Sequence, residues 1–547
     1  MRGEEREKRE RERERGERER GGIVVRLKPM SHSEVTMASG VAGEGFAMKR
    51  LVDLVDRGSQ DDFFFPSSAN NTIFQRRWAP YHNAVPEVVE IGYLGNAAWG
   101  QRITIPISRK DSGDMLQWIC LRLKPRSWLG ADLEEKIRSG KWNYTDPSGA
   151  WMWAASLATI AIQRIELEIG DALIDSWGGE WMDVWSRIWL DGGRAATWDS
   201  DIYGQVPVEE LHSTARPGWT TVQPTEDGYV YCWLPLAFLR RPQTAFPLVA
   251  MGETQEIRLH ITLRPFTDVV RRRAVPRASP TEVPLGETIG VLDVTGLTPV
   301  PYEVRLPTVI PTFEDATVFA GVAHLEDPLR SAYMRQALEM IYEPITHMSF
   351  DVPAKIVSTA CIGETISMHL RLSELNGPIR ELCWFIRRKA VWGYNEWTNY
   401  GALLEDELVD TIPNRSAVGL RIPRQKPLLK SARLMVGNAI WRDESEQWWR
   451  VEYGLEHRGG VRMAGGMVYG CLLGDAREWH GIDLQPAGTV NASRADLRLD
   501  LEITVPTEAP AGCGDDANGK SWEVHVFGIG LNWMRFVGGL AGPLFKD

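Results

Sequence analysis

The sequence predicts an all-β chain folded as two domains of similar size. Three observations predict it: short β-rich runs, several with alternating apolar and polar residues, occur in both halves; Gly and Pro punctuate the intervals (51 and 32 copies); and a proline-rich stretch separates the halves. Strict alternation places every second side chain on one face, as a half-buried strand requires. Many short strands divided by turn residues form sandwiches or barrels.

In the first half, Val88–Ile91, Arg102–Ile107, Trp118–Leu123 and Tyr229–Leu236 are β-rich runs. Ile165, Leu167 and Ile169 alternate with Glu166 and Glu168, and Ile257, Leu259, Ile261 and Leu263 share one face of Glu256–Leu263. Residues 268–311 begin basic (Arg271, Arg272, Arg273, Arg277) and carry five prolines from Pro276 to Pro301, which predicts a long surface loop or insertion. Pro328–Tyr342 is a predicted helix, with Pro near the first-turn position that tolerates it. Strands are then predicted at Glu364–Leu372, Leu382–Arg387, Ser431–Val436, Met467–Leu473, Leu497–Val505 and Ser521–Ile529.

The 547 residues are enough for two to four domains of about 100–200 residues each. Hydrophobic residues make up 43% and charged residues 25%, so sizeable cores are available. A net charge of -11 argues against a general nucleic-acid binder, which carries a basic face. No apolar run is long enough to cross a bilayer, and no apolar signal region opens the chain. Cys120, Cys232, Cys361, Cys383, Cys471 and Cys513 are scattered without a CxxC pair, which fits reduced thiols rather than a zinc ribbon. Tryptophan is abundant (23 copies against 15 Phe and 13 Tyr) and serves either cores or contact surfaces. Trp181, Trp185 and Trp533 fit either role, core being the commoner one.

Chemical motifs are few. Gly514-Asp-Asp-Ala-Asn-Gly-Lys-Ser521 has the spacing of a phosphate-binding loop, but such a loop must open a helix whose N-terminus holds the phosphate. Here Trp522–Phe527 reads as a strand, and Asp515 and Asp516 repel phosphate, so a hairpin loop is predicted. The histidines (His32, His82, His212, His260, His324, His347, His369, His457, His480, His525) form no HExxH motif. Asp61 with Asp62, and Asp199 with Asp201, read as solvated turns, and no GxSxG elbow supplies a nucleophile. Asn70, Asn143, Asn414 and Asn491 lie in glycosylation sequons that arise easily by chance. No catalytic, cofactor-binding or metal-binding residue is singled out, and the chain is expected not to be an enzyme.

Several segments, in order, resemble the major capsid protein of nucleocytoplasmic large DNA viruses. They are Met48–Phe65 with its Leu-Val and Gly-Ser-Gln-Asp stretches; Asn71–Trp78; Gly100–Arg109 with Gly113 and Asp114; Ile165–Gly170, Leu173-Ile-Asp175 and Gly179-Glu-Trp-Met-Asp-Val-Trp185. Next come Leu234-Pro-Leu-Ala-Phe238, Phe246-Pro-Leu248, Glu256–His260, Asn395-Glu-Trp-Thr-Asn-Tyr400, Gln485–Gly488, Asn491–Arg494, Leu531–Arg535 and Gly538–Phe545. The charged stretch 1–22, the proline-rich stretch and Gly252-Glu-Thr254 depart from the pattern.

The resemblance implies a double jelly roll: two eight-stranded antiparallel β-sandwiches side by side, with long loops and a few short helices. It divides the chain into a disordered charged tail or over-extended start (1–47, with Met30, Met37 and Met48 as alternative starts), an N-terminal arm (48–85), a first jelly roll with the proline-rich insertion (86–327) and a second (328–547). It implies homotrimers of pseudo-hexagonal outline that tile an icosahedral shell. The expected partners are neighbouring capsomers, minor capsid and penton proteins, and an inner membrane layer reached by the arm, with no specific nucleic acid and no cofactor. The expected location is the virion, assembled in the host cytoplasm or virus factory. A β-rich carbohydrate-binding protein or glycosidase is the alternative, since Trp stacks on sugars and paired carboxylates cleave them. An ATPase rests on Gly514–Ser521 alone.

Overall fold

The computed structural model describes residues 82–127, 151–154, 156–189, 228–239, 244–252, 255–272, 288–292, 299–303, 310–352, 365–389, 391–404, 426–456, 467–473, 488–504 and 522–545. The expected tail (1–47), most of the expected arm (48–85) and Gly514–Ser521 lie outside the described residues. In chain order the strands of the first half are β1 (Ala84–Ile91), β2 (Arg102–Ile107), β3 (Met115–Pro125), β4 (Trp151–Trp153), β5 (Ile162–Ile169), β6 (Ala172–Trp177), β7 (Val230–Trp233), β8 (Ile257–Leu263), β9 (Val270–Arg272), β10 (Thr288–Leu292), β11 (Pro299–Glu303) and β12 (Phe313–Leu325). The second half has β13 (Leu338–Tyr342), β14 (Ile345–Val352), β15 (Thr365–Arg371), β16 (Pro378–Arg388), β17 (Leu429–Val436), β18 (Ala439–Ser445), β19 (Val468–Leu472), β20 (Val490–Asn491), β21 (Leu497–Thr504), β22 (Trp522–Gly530), β23 (Asn532–Val537) and β24 (Leu540–Pro543).

Each half builds two sheets by the same wiring. In the first, the sheets run β1-β12-β3-β7 and β2-β8-β5-β6; in the second, β14-β22-β16-β19 and β15-β21-β17-β18. Numbered one to eight along its own half, each sandwich therefore pairs its strands as 1-8-3-6 and 2-7-4-5. All these pairings are antiparallel. This is the jelly-roll connection made twice, and the fold is a double jelly roll. Three smaller sheets are added: β4 with β9, β10 with β11, and β13-β23-β24.

Side-chain alternation drives the closure. Ile257, Leu259, Ile261 and Leu263 of β8 are buried, as are Leu497, Leu499, Leu501 and Ile503 of β21, while Arg258 and Arg498 between them are exposed. Burying each such aliphatic side chain contributes about 1.5–3 kcal/mol. Two neighbouring strands break the alternation: Ile379–Arg387 of β16 and all of β22 are buried without interruption. A sheet buried on both faces needs a second cover besides its sandwich partner. Inside the sandwich Trp384 meets Trp449 and Tyr469; on the opposite face Phe527 meets Trp181 of the first half.

The covering element is the helix Gly179–Trp189, which follows β6. Its entry is tight, because a Cβ on Gly179 would overlap the carbonyl oxygens of Thr159 and Ile162. A helix of equal length, Glu446–Glu456, follows β18, the equivalent strand of the second half.

Two expectations change. The helix predicted over Pro328–Tyr342 spans Asp327–Arg335, and Leu338–Tyr342 is instead a strand hydrogen-bonded to β23. Long-range pairing there outweighs local helix propensity. Parts of the stretch 268–311 are strand rather than loop: β9 pairs with β4, and β10 pairs with β11 from Thr288 opposite Glu303 to Leu292 opposite Pro299.

Replacing Gly179 by Ala forces the helix away from Thr159 and Ile162, at a cost of about 1–3 kcal/mol typical of overpacking. Gly542→Ala, whose Cβ enters open space, is expected to change stability by less than about 0.5 kcal/mol. Thermal or urea denaturation of the two variants distinguishes them.

Candidate functional site

The covered face of the second sandwich is where functional side chains converge. Two family-like segments supply the clasp. From the second half, the Asn395 amide donates to the carbonyls of Thr267 and Val270, each at 2.5 Å, and the Trp397 indole donates to Asp268 O at 2.7 Å. Asn395 has φ +54°, a left-handed conformation that Asn tolerates better than most residues. The Tyr400 hydroxyl donates to Asp183 Oδ2 at 2.6 Å, and Arg187 donates to the same oxygen at 2.8 Å and to Thr398 O at 3.3 Å. Asp183 and Arg187 come one turn apart on the Gly179–Trp189 helix, and both are buried.

Behind the clasp lies a charge network. Arg387 of β16 donates to Glu523 of β22 at 2.6 Å and to Trp397 O at 2.9 Å, and lies 3.8 Å from Glu180 of the first half. Arg264 lies 3.5 Å from Glu180, donates to Ile160 O at 3.0 Å and stacks 4.3 Å from the Trp397 ring. His347 and His525 are hydrogen-bonded at 2.9 Å with rings nearly parallel. Phe385 and Phe527 stack on these imidazoles. Glu180, Arg264, His347, Arg387, Glu523 and His525 line a cleft of about 540 Å³ between the halves.

Burial opposes ionisation of Glu523, but the hydrogen bond from His525, the charge of Arg387 and the Trp392 indole outweigh it and carry its carboxyl down to about 2. Burial likewise opposes Glu180, and the charges of Arg387 and Arg264 hold it below the usual carboxylate range. Burial, reinforced by His525, pushes His347 down to about 4, so it is neutral near pH 7. A glycosidase needs one carboxyl kept protonated as an acid. Glu180 and Glu523 are instead both held ionised by arginines, an arrangement suited to joining two bodies.

The other segments singled out in the sequence also make long-range ties. Asp114 accepts from Leu325 N at 2.9 Å and from Arg330 at 2.7 and 2.9 Å, fixing the start of the helix that leads into the second half. Asp175 accepts from Ala237 N at 2.8 Å and from the Trp177 indole at 3.2 Å, joining two of the segments. Ser493 Oγ accepts from Gly377 N at 2.8 Å. From the C-terminal hairpin, Phe536 packs edge-on against Phe246, and Gln255 exchanges hydrogen bonds with both backbone groups of Ala541. Trp181 is buried at the seam, Trp185 is half-buried and Trp533 is exposed.

Among the described residues, no group of three or more His, Cys, Asp and Glu is arranged to hold a metal. His260 pairs with Glu168 and Thr104, His324 with Glu87, His369 with Asp500 and His82 with Glu326. His32, His212, His457, His480, Asp61, Asp62, Asp199, Asp201, Asn70, Asn143 and Asn414 lie outside the described residues. Cys120, Cys232, Cys383 and Cys471 are buried free thiols, and burial pushes Cys120 and Cys232 far up. Past Gly514–Ser521 the chain enters strand β22, where a phosphate-binding loop would open a helix.

Comparison with known proteins agrees. Residues 72–284 match the family model for the major capsid protein N-terminus. The major capsid protein of Pyramimonas orientalis virus is 27% identical over 220 residues, 40% of this chain and 48% of that protein. The major capsid protein of Chrysochromulina ericina virus is 25% identical over 248 residues, 40% of this chain and 41% of that protein. The matched region thus spans less than half the length of these curated relatives. The fold also matches PBCV-1 VP54, in a structure fitted into a cryo-EM reconstruction of the virophage Sputnik, with a TM-score of 0.58, 17% identity and coverage of 87% of this chain and 100% of that one. The Faustovirus major capsid protein matches with a TM-score of 0.57, 10% identity and coverage of 88% and 94%. Residues 72–284 are thus similar to the N-terminal part of major capsid proteins of large DNA viruses, and the fold is that of the double jelly-roll capsid proteins. The seam residues were missed from sequence because Glu180 and Arg387 meet across 207 positions, and no spacing rule reaches that far.

Two outcomes follow for the seam. Asp183→Ala strands the buried Arg187 and is expected to cost about 3–5 kcal/mol, against about 1–2 for Tyr400→Phe, which leaves the ion pair in place; equilibrium unfolding measures both. The unfolded chain takes up a proton on His347 near pH 6.5 and the folded chain only near 4. The stability from burying neutral His347, about 3 kcal/mol, is therefore complete above pH 6.5 and lost as pH falls towards 4. Glu523 acts lower: its contribution holds above 4.5 and is lost as pH falls through about 2. His347→Phe is expected to flatten the dependence between pH 6.5 and 4 while leaving the loss below 4.

Proposed function

We propose that this chain is a capsid protein, a structural subunit whose three copies close into a pseudo-hexagonal capsomer of an icosahedral shell. The observation that carries the reading is the duplicated wiring: one chain presents two sandwiches of identical connection, so three chains supply six similar bodies to a six-cornered ring. Closed rings from repeated head-to-tail contacts are a standard outcome of rotational assembly. We divide the chain at 327/328 into jelly rolls 86–327 and 328–547, preceded by an arm at 48–85. The insertion near 268–311 belongs on an outer tower or a contact loop, since loops lengthen at little entropic cost. Neighbouring capsomers, minor capsid and penton proteins are the partners, and the arm faces an inner membrane layer. Assembly takes place in the host cytoplasm or virus factory. The arginines that hold Glu180 and Glu523 ionised in the cleft favour a joining role for this pair over acid catalysis.

Sedimentation of the purified full-length chain is expected to give three times the monomer mass, and electron microscopy of it a hexagonal outline. A stable monomer that binds sugar would overturn the reading in favour of a carbohydrate-binding protein.

A further inference from the structure

The Gly179–Trp189 helix covers only part of the outer face of β14, β22 and β16. Strand pairing sets that face in rows: Phe527 stands opposite His347 and Cys383, His525 opposite Ser349 and Phe385, and Glu523 opposite Asp351 and Arg387. Trp181 lies on Phe527 in the first row. Beyond it, Ser349, His525, Asp351, Glu523 and Arg387 line the cleft instead. Gln163, Glu180, Arg264 and Asp268 of the first half form the opposite wall. Ser349 and Gln163 are exposed, and among the described residues neither the Ser349 hydroxyl nor the Gln163 amide has a hydrogen-bond partner.

Trp392 also borders the cleft. Its indole donates to Glu523 Oε1 at 3.2 Å, and Trp397 packs against its ring at 5.5 Å, yet the side chain is 54% exposed. An indole held by its edge offers its apolar face as a rigid platform. Around it the charges pair off: Arg387 with Glu523, Lys389 with Asp351 at 2.8 Å, and Arg264 beside Glu180 at 3.5 Å. Asp268 leaves the set one negative charge, so the cleft does not attract anions. Arg387, His525 and Trp392 all converge on Oε1 of Glu523, and among the described residues its Oε2 has no partner. The open groups are thus carboxylate oxygens, an amide and a hydroxyl beside an aromatic face. Hydroxyl groups both donate and accept, so a polyhydroxylated ring satisfies all three kinds while its C–H face lies on the indole. The volume falls within the range of about 300–1,000 Å³ usual for small-molecule sites.

We propose that this cleft binds a neutral mono- or disaccharide, stacked on Trp392 with its hydroxyl groups on Asp351, Glu523, Ser349 and Gln163. The inference goes beyond the assembly reading and does not depend on it, since every copy in a shell would carry the site. Glu180 and Glu523 are held ionised by arginines, so neither protonates a glycosidic oxygen, and the sugar is held without being cleaved.

Isothermal titration of the purified full-length chain with glucose, galactose, mannose, maltose and lactose tests it. At least one of these is expected to bind saturably and to be recovered intact. Trp392→Ala removes the platform and is expected to weaken that binding about tenfold or more. Ser349→Trp fills the cleft from an exposed position and is expected to abolish binding while keeping the parent's thermal midpoint. Trp533→Ala, exposed outside the cleft, is expected to bind as the parent does. The site is wrong if none of these sugars binds, if either cleft variant binds as tightly as the parent, or if inorganic phosphate binds and displaces the sugar. Cleavage of a bound disaccharide overturns the inference too. Sedimentation of the same sample reports assembly separately, so a trimer that binds no sugar sinks this inference alone.

Discussion

The outer face of β16 and β22 must be kept from water, and much of the molecule is arranged around that requirement. A sandwich strand needs one apolar face; these two carry apolar or charged side chains on both, over nine consecutive residues each. The Phe385 and Phe527 rings and the Arg387–Glu523 pair would be costly to leave half-solvated. The Gly179–Trp189 helix supplies the cover, and residues 395–400 reach back to hold it. The helix is buried nearly all round because it serves two cores at once.

Burial of Glu180, Arg264, Arg387 and Glu523 is not itself a source of great stability. Taking two charges from water costs several kcal/mol each, and their attraction inside roughly repays it. Such a network fixes geometry: Arg387 satisfies a carboxylate, a backbone carbonyl and an approach to Glu180 in only one placement of the halves. Apolar contacts such as Trp181 on Phe527 provide the attraction, and the ions choose its register. A shell subunit has good reason to favour this division, because an error in the angle between its halves is repeated in every copy.

Alternating strands were legible in the sequence because their period is local. Arg102–Ile107 is observed with the predicted ends, the apolar face of β8 is the predicted set of residues, and β21 lies within the predicted run Leu497–Val505. Elements serving two surfaces at once were not legible. The Gly179–Trp189 helix carries Glu180, Asp183 and Arg187 on one face, but that face is buried against the second half instead of meeting solvent. Leu338–Tyr342 follows a good helix former directly, and only the distant β23 makes it a strand. At the site, single residues such as Asp183 and Asn395 fell within recognisable segments. Arg187 is the i+4 neighbour of Asp183, but the pairings of Asp183 with Tyr400 and of Asn395 with Thr267 and Val270 are set by tertiary packing, and no local pattern specifies them.

Some family-like segments form core strands, as Ile165–Gly170 and Glu256–His260 do, and others lie where the chain ties one part to another, where substitution is least tolerated. A buried Leu in β21 can be exchanged for another aliphatic residue of similar volume at small cost. Asp114, bound at once to a backbone amide and a guanidinium, has no such substitute. Asp183, shared by Arg187 and Tyr400, is equally constrained, and so is Gly179, which leaves no room for a Cβ. Such positions accept few side chains, whereas the aliphatic cores accept many. Ties of this kind hold the parts of the fold in register with one another.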